Sequence, residues 1–288
     1  MGEDKFIPPS ELIINPDNSI YHLKLRPDEI ADTIITVGDP DRVTMVSKHL
    51  DKIHLERSCR EFKTITGELA EKPITIISTG IGTDNIDIVF NELDALANID
   101  FNTRLVKDTF RQLTFIRIGT SGAISEKVPL DSFIVSHHAI GFEGLLNFYE
   151  SDHVRNKEIE AQVKTDLNYY AVDADLKLAQ SFSHFTQSGL TITANGFYGP
   201  QSRELRLSHK FDIQKIASNI NYKGISPTNL EMETAGIYGM AALLGHKAIS
   251  LNAILANRVT NEFSSQPGET VKRLIEETLG VLENPKGL

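Results

Sequence analysis

Short β-rich runs alternate with helical patterns along this chain, and glycines fall where several of the runs stop. Residues 33–37 (TIITV) end at Gly38, 74–78 (ITIIS) end at Thr79-Gly80-Ile81-Gly82, and 114–118 (TFIRI) end at Gly119-Thr120-Ser121-Gly122. Residues 132–136, 190–194 and 248–255 read as further strands. Apolar residues recur at helical spacing over 41–50, 84–97 and 230–244, the last stopped by Gly245. A final helix carries Val271, Leu274, Ile275, Thr278, Leu279 and Leu282. This alternation predicts a single α/β domain, with a mainly parallel or mixed sheet and helices on both faces. Residues 143–175 are polar and carry no clear period. In open α/β sheets ligands bind outside the carboxyl ends of the strands. Segments far apart in sequence are therefore expected to meet at those glycine-rich ends.

Composition narrows the function classes. With 40% hydrophobic and 24% charged residues over 288 positions, the chain reads as soluble and globular. No apolar run approaches the roughly 18 residues of a membrane span. The start, MGEDKFIPPSEL, has neither a basic region nor an apolar stretch, so the expected location is the cytoplasm. The single cysteine, Cys59, excludes an internal disulfide framework. His137 and His138 are adjacent and no CxxC or HExxH occurs, so no structural metal is expected. A net charge of −10 argues against broad nucleic-acid binding. It leaves room for a local cluster of arginines that binds a small anion.

Four segments carry residues suited to chemistry. In GDPDR, Gly38 allows close backbone approach, the following helix start offers free N–H groups, and Arg42 is a bidentate donor suited to phosphate. The same residues equally describe a tight turn capped by Asp39 or Asp41. In RIGTSG, Arg117 near a strand end precedes a loop of Gly119, Thr120, Ser121 and Gly122 that can cradle an anion, or Arg117 is a structural ion-pair partner. EMET reads as the opening of a helix, where Glu231 and Glu233, two apart, diverge. One of them can accept from a vicinal diol, or both are partners of the helix dipole. In NGFYGPQSREL, Phe197 can stack on a flat ring, Gln201 can donate and accept, and Arg203 only donates. The bland alternative is a solvated Gly-Pro turn. STGIG (78–82) reads as a turn beside the site.

Taken in order, GDPDR, SCREF, STGIG, RIGTSGAI, FYGPQSR, EMET and ANR resemble the nucleoside phosphorylase-I family, and the Gln-x-Arg after Phe-Tyr resembles its uridine branch. The resemblance runs from about Tyr21 to the C-terminal helix, which sets an N-terminal extension at 1–20 and a nucleoside phosphorylase domain at 21–288. It implies a twisted mixed, largely parallel sheet flanked by helices. It also implies a homodimer unit, which the family also assembles into hexamers as a trimer of dimers. On this resemblance Gly38, Arg42, Arg117 and Thr120 would hold phosphate, with Arg60 reaching the phosphate of a neighbouring subunit. Met232 and Glu233 would hold ribose, with His22 reaching the neighbour's sugar. Phe197, Gln201, Arg203, Leu255 and Ala256 would surround the base.

The implied reaction is reversible phosphorolysis of uridine to uracil and ribose 1-phosphate. Inorganic phosphate is the co-substrate, no cofactor is needed, and Arg203, Arg117 and Glu233 are the catalytic groups. No nucleic-acid or membrane partner is implied. Purine-cleaving relatives place an acid after the last central strand, whereas this chain has LANRV. Two details depart from the uridine pattern: the order Gly199-Pro200, and Asn85 where relatives use serine to bind a monovalent cation beside Glu61 and Ile81. A purine nucleoside phosphorylase or nucleosidase on the same scaffold, and a catalytically silent nucleoside-binding protein, stand as alternatives.

Overall fold

The structure, a computed structural model, describes residues 6–284. Residues 1–5 of the expected extension, and residues 285–288, lie outside the described residues. Strand β1 (Thr33–Val37) leads into helix α1 (Pro40–Ser47), then a meander of β2 (Lys52–Cys59), β3 (Phe62–Leu69) and β4 (Lys72–Ser78). Helix α2 (Thr83–Asn98) and a small pair, β5 (Ile99–Asp100) and β6 (Leu105–Val106), precede β7 (Thr114–Ala123) and β8 (Phe133–Gly141). The polar 143–175 region holds a short helix α3 (Lys157–Glu160) and strand β9 (Tyr170–Asp173). Helix α4 (Leu176–Gln180), β10 (Gln187–Thr193), α5 (Ile213–Ser218), β11 (Pro227–Glu231), α6 (Thr234–Leu243), β12 (Lys247–Asn257), β13 (Glu262–Phe263) and α7 (Pro267–Glu283) complete the described chain.

Eleven of these strands form one mixed sheet. β1 runs parallel to both β4 and β7, and β7 runs parallel to β12. The apolar run of β1 is buried from its second residue onward, as a strand covered on both faces must be. The sheet also closes on itself. β12 pairs with β7 on one side and antiparallel with β8 on the other. β8 continues through β10 and β11, and β11 returns antiparallel to β7. The result is a barrel-like ring extended by β1, β4, β3 and β2. Closure removes the edges that an open sheet exposes. α6 packs against α2 and against β8, β10 and β12, and its apolar character all round fits a helix buried on every side. The segment before β1 joins the same core: Leu12, Ile20, Leu23 and Leu25 are buried in it.

Two sequence expectations change here. The strand expected to stop at Ile118 runs on to Ala123, because Gly119–Ala123 pair with β12 (Asn252↔Gly119 through Asn257↔Ala123). The helix expected from residue 230 begins at Thr234, because Leu230 and Glu231 belong to β11 and pair with Ile192 and Thr193 of β10.

Candidate active site

Arg117 sits in the middle of β7, next to Thr36 of β1 and Ser250 of β12. A charged side chain in a sheet interior must find partners, and Arg117 finds four. Nη1 donates to Asn252 Oδ1 at 2.9 Å and to Ser250 Oγ at 3.3 Å. Nη2 donates to Glu233 Oε2 at 2.6 Å and lies 3.1 Å from Glu231 Oε2. Gly119, two residues on and on the same face, leaves the room this needs: a Cβ there would lie 1.9 Å from Arg117 Nη1. Burial pulls the Arg117 pKa down, but Glu231 and Glu233 outweigh it and hold the pKa above the ordinary arginine range.

The two glutamates do not diverge as helix positions two apart would. Glu231 ends β11 and Glu233 lies in the bend just before α6, so the strand-to-helix junction, and not a helix, brings both to Arg117. Glu233 Oε1 also accepts from the Gly82 amide at 2.8 Å. Gly82 has φ +96°, a conformation open to glycine, and it opens α2. The STGIG turn therefore delivers a donor to the site. Burial raises the Glu233 pKa, Arg117 opposes it, and the charge on Glu231 adds to the rise.

At the start of α1, Asp39 accepts from the Asp41 amide at 2.8 Å and is the helix cap. Arg42 turns inward and donates to the Ile118 carbonyl at 3.3 Å. Burial lowers the Arg42 pKa, and the neighbouring Arg117 charge lowers it further.

The aromatic segment forms a tight turn over Gly199–Gln201. Gln201 is 2% exposed although it is polar, and its Oε1 accepts from Arg203 Nη1. Arg203 Nη1 also donates to the Phe197 carbonyl at 2.9 Å, and its guanidinium lies 3.8 Å from the centre of the Phe197 ring. One face of Phe197 is thus covered by Arg203. Burial, and then the charge of Arg258, lower the Arg203 pKa to about 10, so it keeps its proton at neutral pH. Arg258 pins this turn to the end of β12 through bonds to the carbonyls of Gln201 at 2.9 Å and Ser202 at 3.2 Å.

These segments share one cavity of about 730 Å³. Gly38, Arg42, Arg117 and Thr120 line it, as do Met232 and Glu233, and so do Phe197, Gln201, Arg203, Leu255 and Ala256. Glu61, Ile81 and Asn85 also reach its wall. Arg60 and His22 do not. Arg60 is exposed, with φ +56° in the turn between β2 and β3. His22 Nδ1 lies 2.6 Å from Glu92 Oε1 on α2, and Glu92 also accepts the His22 and Leu23 amides. Among the described residues, no group of three or more His, Cys, Asp or Glu is arranged to hold a metal ion, and no helix is long and apolar enough to cross a membrane. Sequence reasoning weighed Glu231 only as a diol acceptor or a helix-dipole partner, not as a partner of Arg117, and gave no role to Gly82, Asn252 or Arg258. The Glu-x-Glu spacing carried the signal for the first, read on a strand instead of a helix.

The chain matches the family model described as the phosphorylase superfamily over residues 32–283. It is 30% identical over 264 residues to a uridine phosphorylase of Thermococcus kodakarensis, covering 91% of this chain and 86% of that protein. It is 29% identical over 258 residues to a uridine phosphorylase of Escherichia coli, covering 89% of this chain and 92% of that one. A solved structure of a Trypanosoma brucei nucleoside phosphorylase, described as showing uridine phosphorylase activity, superposes with a TM-score of 0.86 at 29% identity. That match covers 94% of this chain and 99% of the other.

Proposed function

The chain belongs to the phosphorylase superfamily, within the nucleoside phosphorylase-I family of pentosyltransferases, and on that premise we propose that it catalyses the reversible phosphorolysis of uridine to uracil and ribose 1-phosphate. One observation carries the reading. A single cavity has arginines at Arg42 and Arg117, a carboxylate at Glu233 in contact with Arg117, and a buried Gln201 amide paired with the half-buried Arg203 guanidinium. Those are the groups that an anion, a sugar diol and a pyrimidine edge call for. The carboxylates that line the cavity are Asp39, Glu61, Glu231 and Glu233, and none lies in the 197–203 turn or at the end of β12, which suits a pyrimidine. The relatives named uridine phosphorylase support the same choice.

In this reading phosphate lies on Arg42, Arg117, Thr120 and the Gly38 backbone, facing the sugar carbon. Met232 and Glu233 hold the sugar, with Glu233 accepting from its hydroxyls. The bond from the sugar carbon to the base nitrogen breaks, and its electron pair leaves with the base. A phosphate oxygen forms the new bond to the same carbon. Gln201 and Arg203 donate to the base as negative charge grows on it, and the base then takes a proton from water. No side-chain nucleophile takes part, so the rate comes from positioning and preorganised charge. The test measures base release from uridine, thymidine and inosine, each with and without phosphate. Phosphate-dependent uracil release is expected, with inosine far slower. Phosphate-independent release, or faster cleavage of inosine, would refute the assignment.

A further inference from the structure

Two buried carboxylates share one nitrogen of Arg117, and they are held very differently. Glu231 Oε1 accepts from Thr193 Oγ1 at 2.6 Å and from the Thr234 amide at 3.1 Å. Its Oε2 accepts from the Glu233 and Thr234 amides, each at 2.9 Å, and faces Arg117 Nη2 at 3.1 Å. A carboxylate offers about four lone-pair sites, and all of those on Glu231 are taken by the protein. It has no capacity left for a sugar hydroxyl. Glu233 accepts only from Gly82 and Arg117, so it keeps capacity on the cavity side.

We propose that Glu231 is a positioning residue, the fixed counter-ion of Arg117, which moderates the site's hold on its anionic co-substrate and frees Glu233 to exchange Arg117 for the sugar hydroxyls. This rests on the reading above that Arg117 holds the anion. If Glu233 were the only carboxylate on Arg117, moving it to the sugar would leave the buried guanidinium charge uncompensated whenever no anion is bound, which is costly. Glu231 keeps Arg117 compensated throughout. The same charge repels an anion bound at Arg117, which favours release of the anionic product.

Titration calorimetry with inorganic phosphate on the full chain tests this, comparing wild type with E231D and E231Q. E231Q removes a unit charge beside the anion and is expected to bind phosphate about tenfold tighter. E231D draws the charge back from Arg117 and is expected to bind about twofold tighter. Both should lose kcat for uridine, because the Arg117–Glu233 pair tightens. A Glu231 that merely supported the fold would give the opposite sign, weaker phosphate binding together with a lower Tm. The proposal is overturned if phosphate affinity is unchanged or weaker in a variant that keeps a wild-type Tm, and E231D decides alone should E231Q fail to fold. Wild-type protein that binds phosphate but releases no uracil would overturn the uridine assignment and leave this series to be judged by itself. Wild-type protein that binds no phosphate would overturn both.

Discussion

Replacing Arg203 by alanine is the sharpest probe of the base-reading end. Arg203 is partly exposed and holds no core element, so its removal should leave Tm within about 2 °C of wild type. Three contacts disappear: the bond to the Phe197 carbonyl, the bond to Gln201 Oε1 and the stack on Phe197. The stack on a half-exposed ring is worth only about 0.5–1 kcal/mol and does not change as charge moves onto the base. What counts for the rate is the donor aimed at the leaving base, worth about 3–4 kcal/mol when preorganised. R203A should therefore lower kcat/KM for uridine by about 10²–10³-fold at saturating phosphate. R203K keeps the charge without the planar fork and should fall between. A leaving base that stabilises its own negative charge needs this donor less, so 5-fluorouridine should lose distinctly less than uridine in R203A. The assay is initial-rate uracil and fluorouracil release. R203A within threefold of wild type, or equal losses on both substrates, would refute the assignment.

Three further outcomes are expected. R117A leaves Glu231 and Glu233 buried without a counter-ion, costing about 3–5 kcal/mol. Phosphate KM should rise steeply, and melting curves should show the defect shrinking as pH falls and the stranded carboxylates take up protons. Glu143 is driven by burial to a pKa of about 7, against the bonds it accepts from the Leu145 amide and Tyr170. The folded state thus holds a proton that the unfolded chain has released, so this group stabilises most below about pH 4.5 and its contribution is lost as pH rises through 7. E143Q should flatten the fall in stability between pH 5 and 8 by about 1–3 kcal/mol, read from denaturant unfolding at both pH values. Arg60 lies outside the cavity wall, and if it serves a second copy's site, R60A and R203A chains expressed together should exceed the activity of either alone, since a mixed dimer regains one intact site. No gain from mixed dimers would place Arg60 outside the neighbour's chemistry.

Much of the frame was legible in the residues. β1, β4 and the first half of β7 announce themselves by β-branched runs that end in glycine, and α2 and α7 by helical spacing. The β2–β3 meander did not announce itself. Its outer strand is largely exposed and polar, so the pairing that makes it a strand comes from β3 and not from its own composition. Closure of the sheet was equally hidden, because it depends on β12 meeting both β7 and β8, and no local pattern encodes a strand with two distant neighbours.

The misread segments lie at the site itself, and for one physical reason. Gly119-Thr120-Ser121-Gly122 looks like a turn because small and hydroxyl residues dominate it, yet those residues allow a strand to carry a folded arginine and expose donors beside it. Leu230–Glu231 looks like the start of a helix because apolar residues follow at helical spacing, yet the strand must extend to Glu231 for both glutamates to reach Arg117. The β12–β7 register slips between Ile254 and Ala256, which leaves Leu255 as an extra residue where both line the cavity. Such bulges re-aim side chains near active sites. In the first two cases the residue choice that suits the cavity departs from the local propensity of its element, and only tertiary pairing holds it there. The clash between local signal and observed structure is therefore itself a marker of where the chemistry sits.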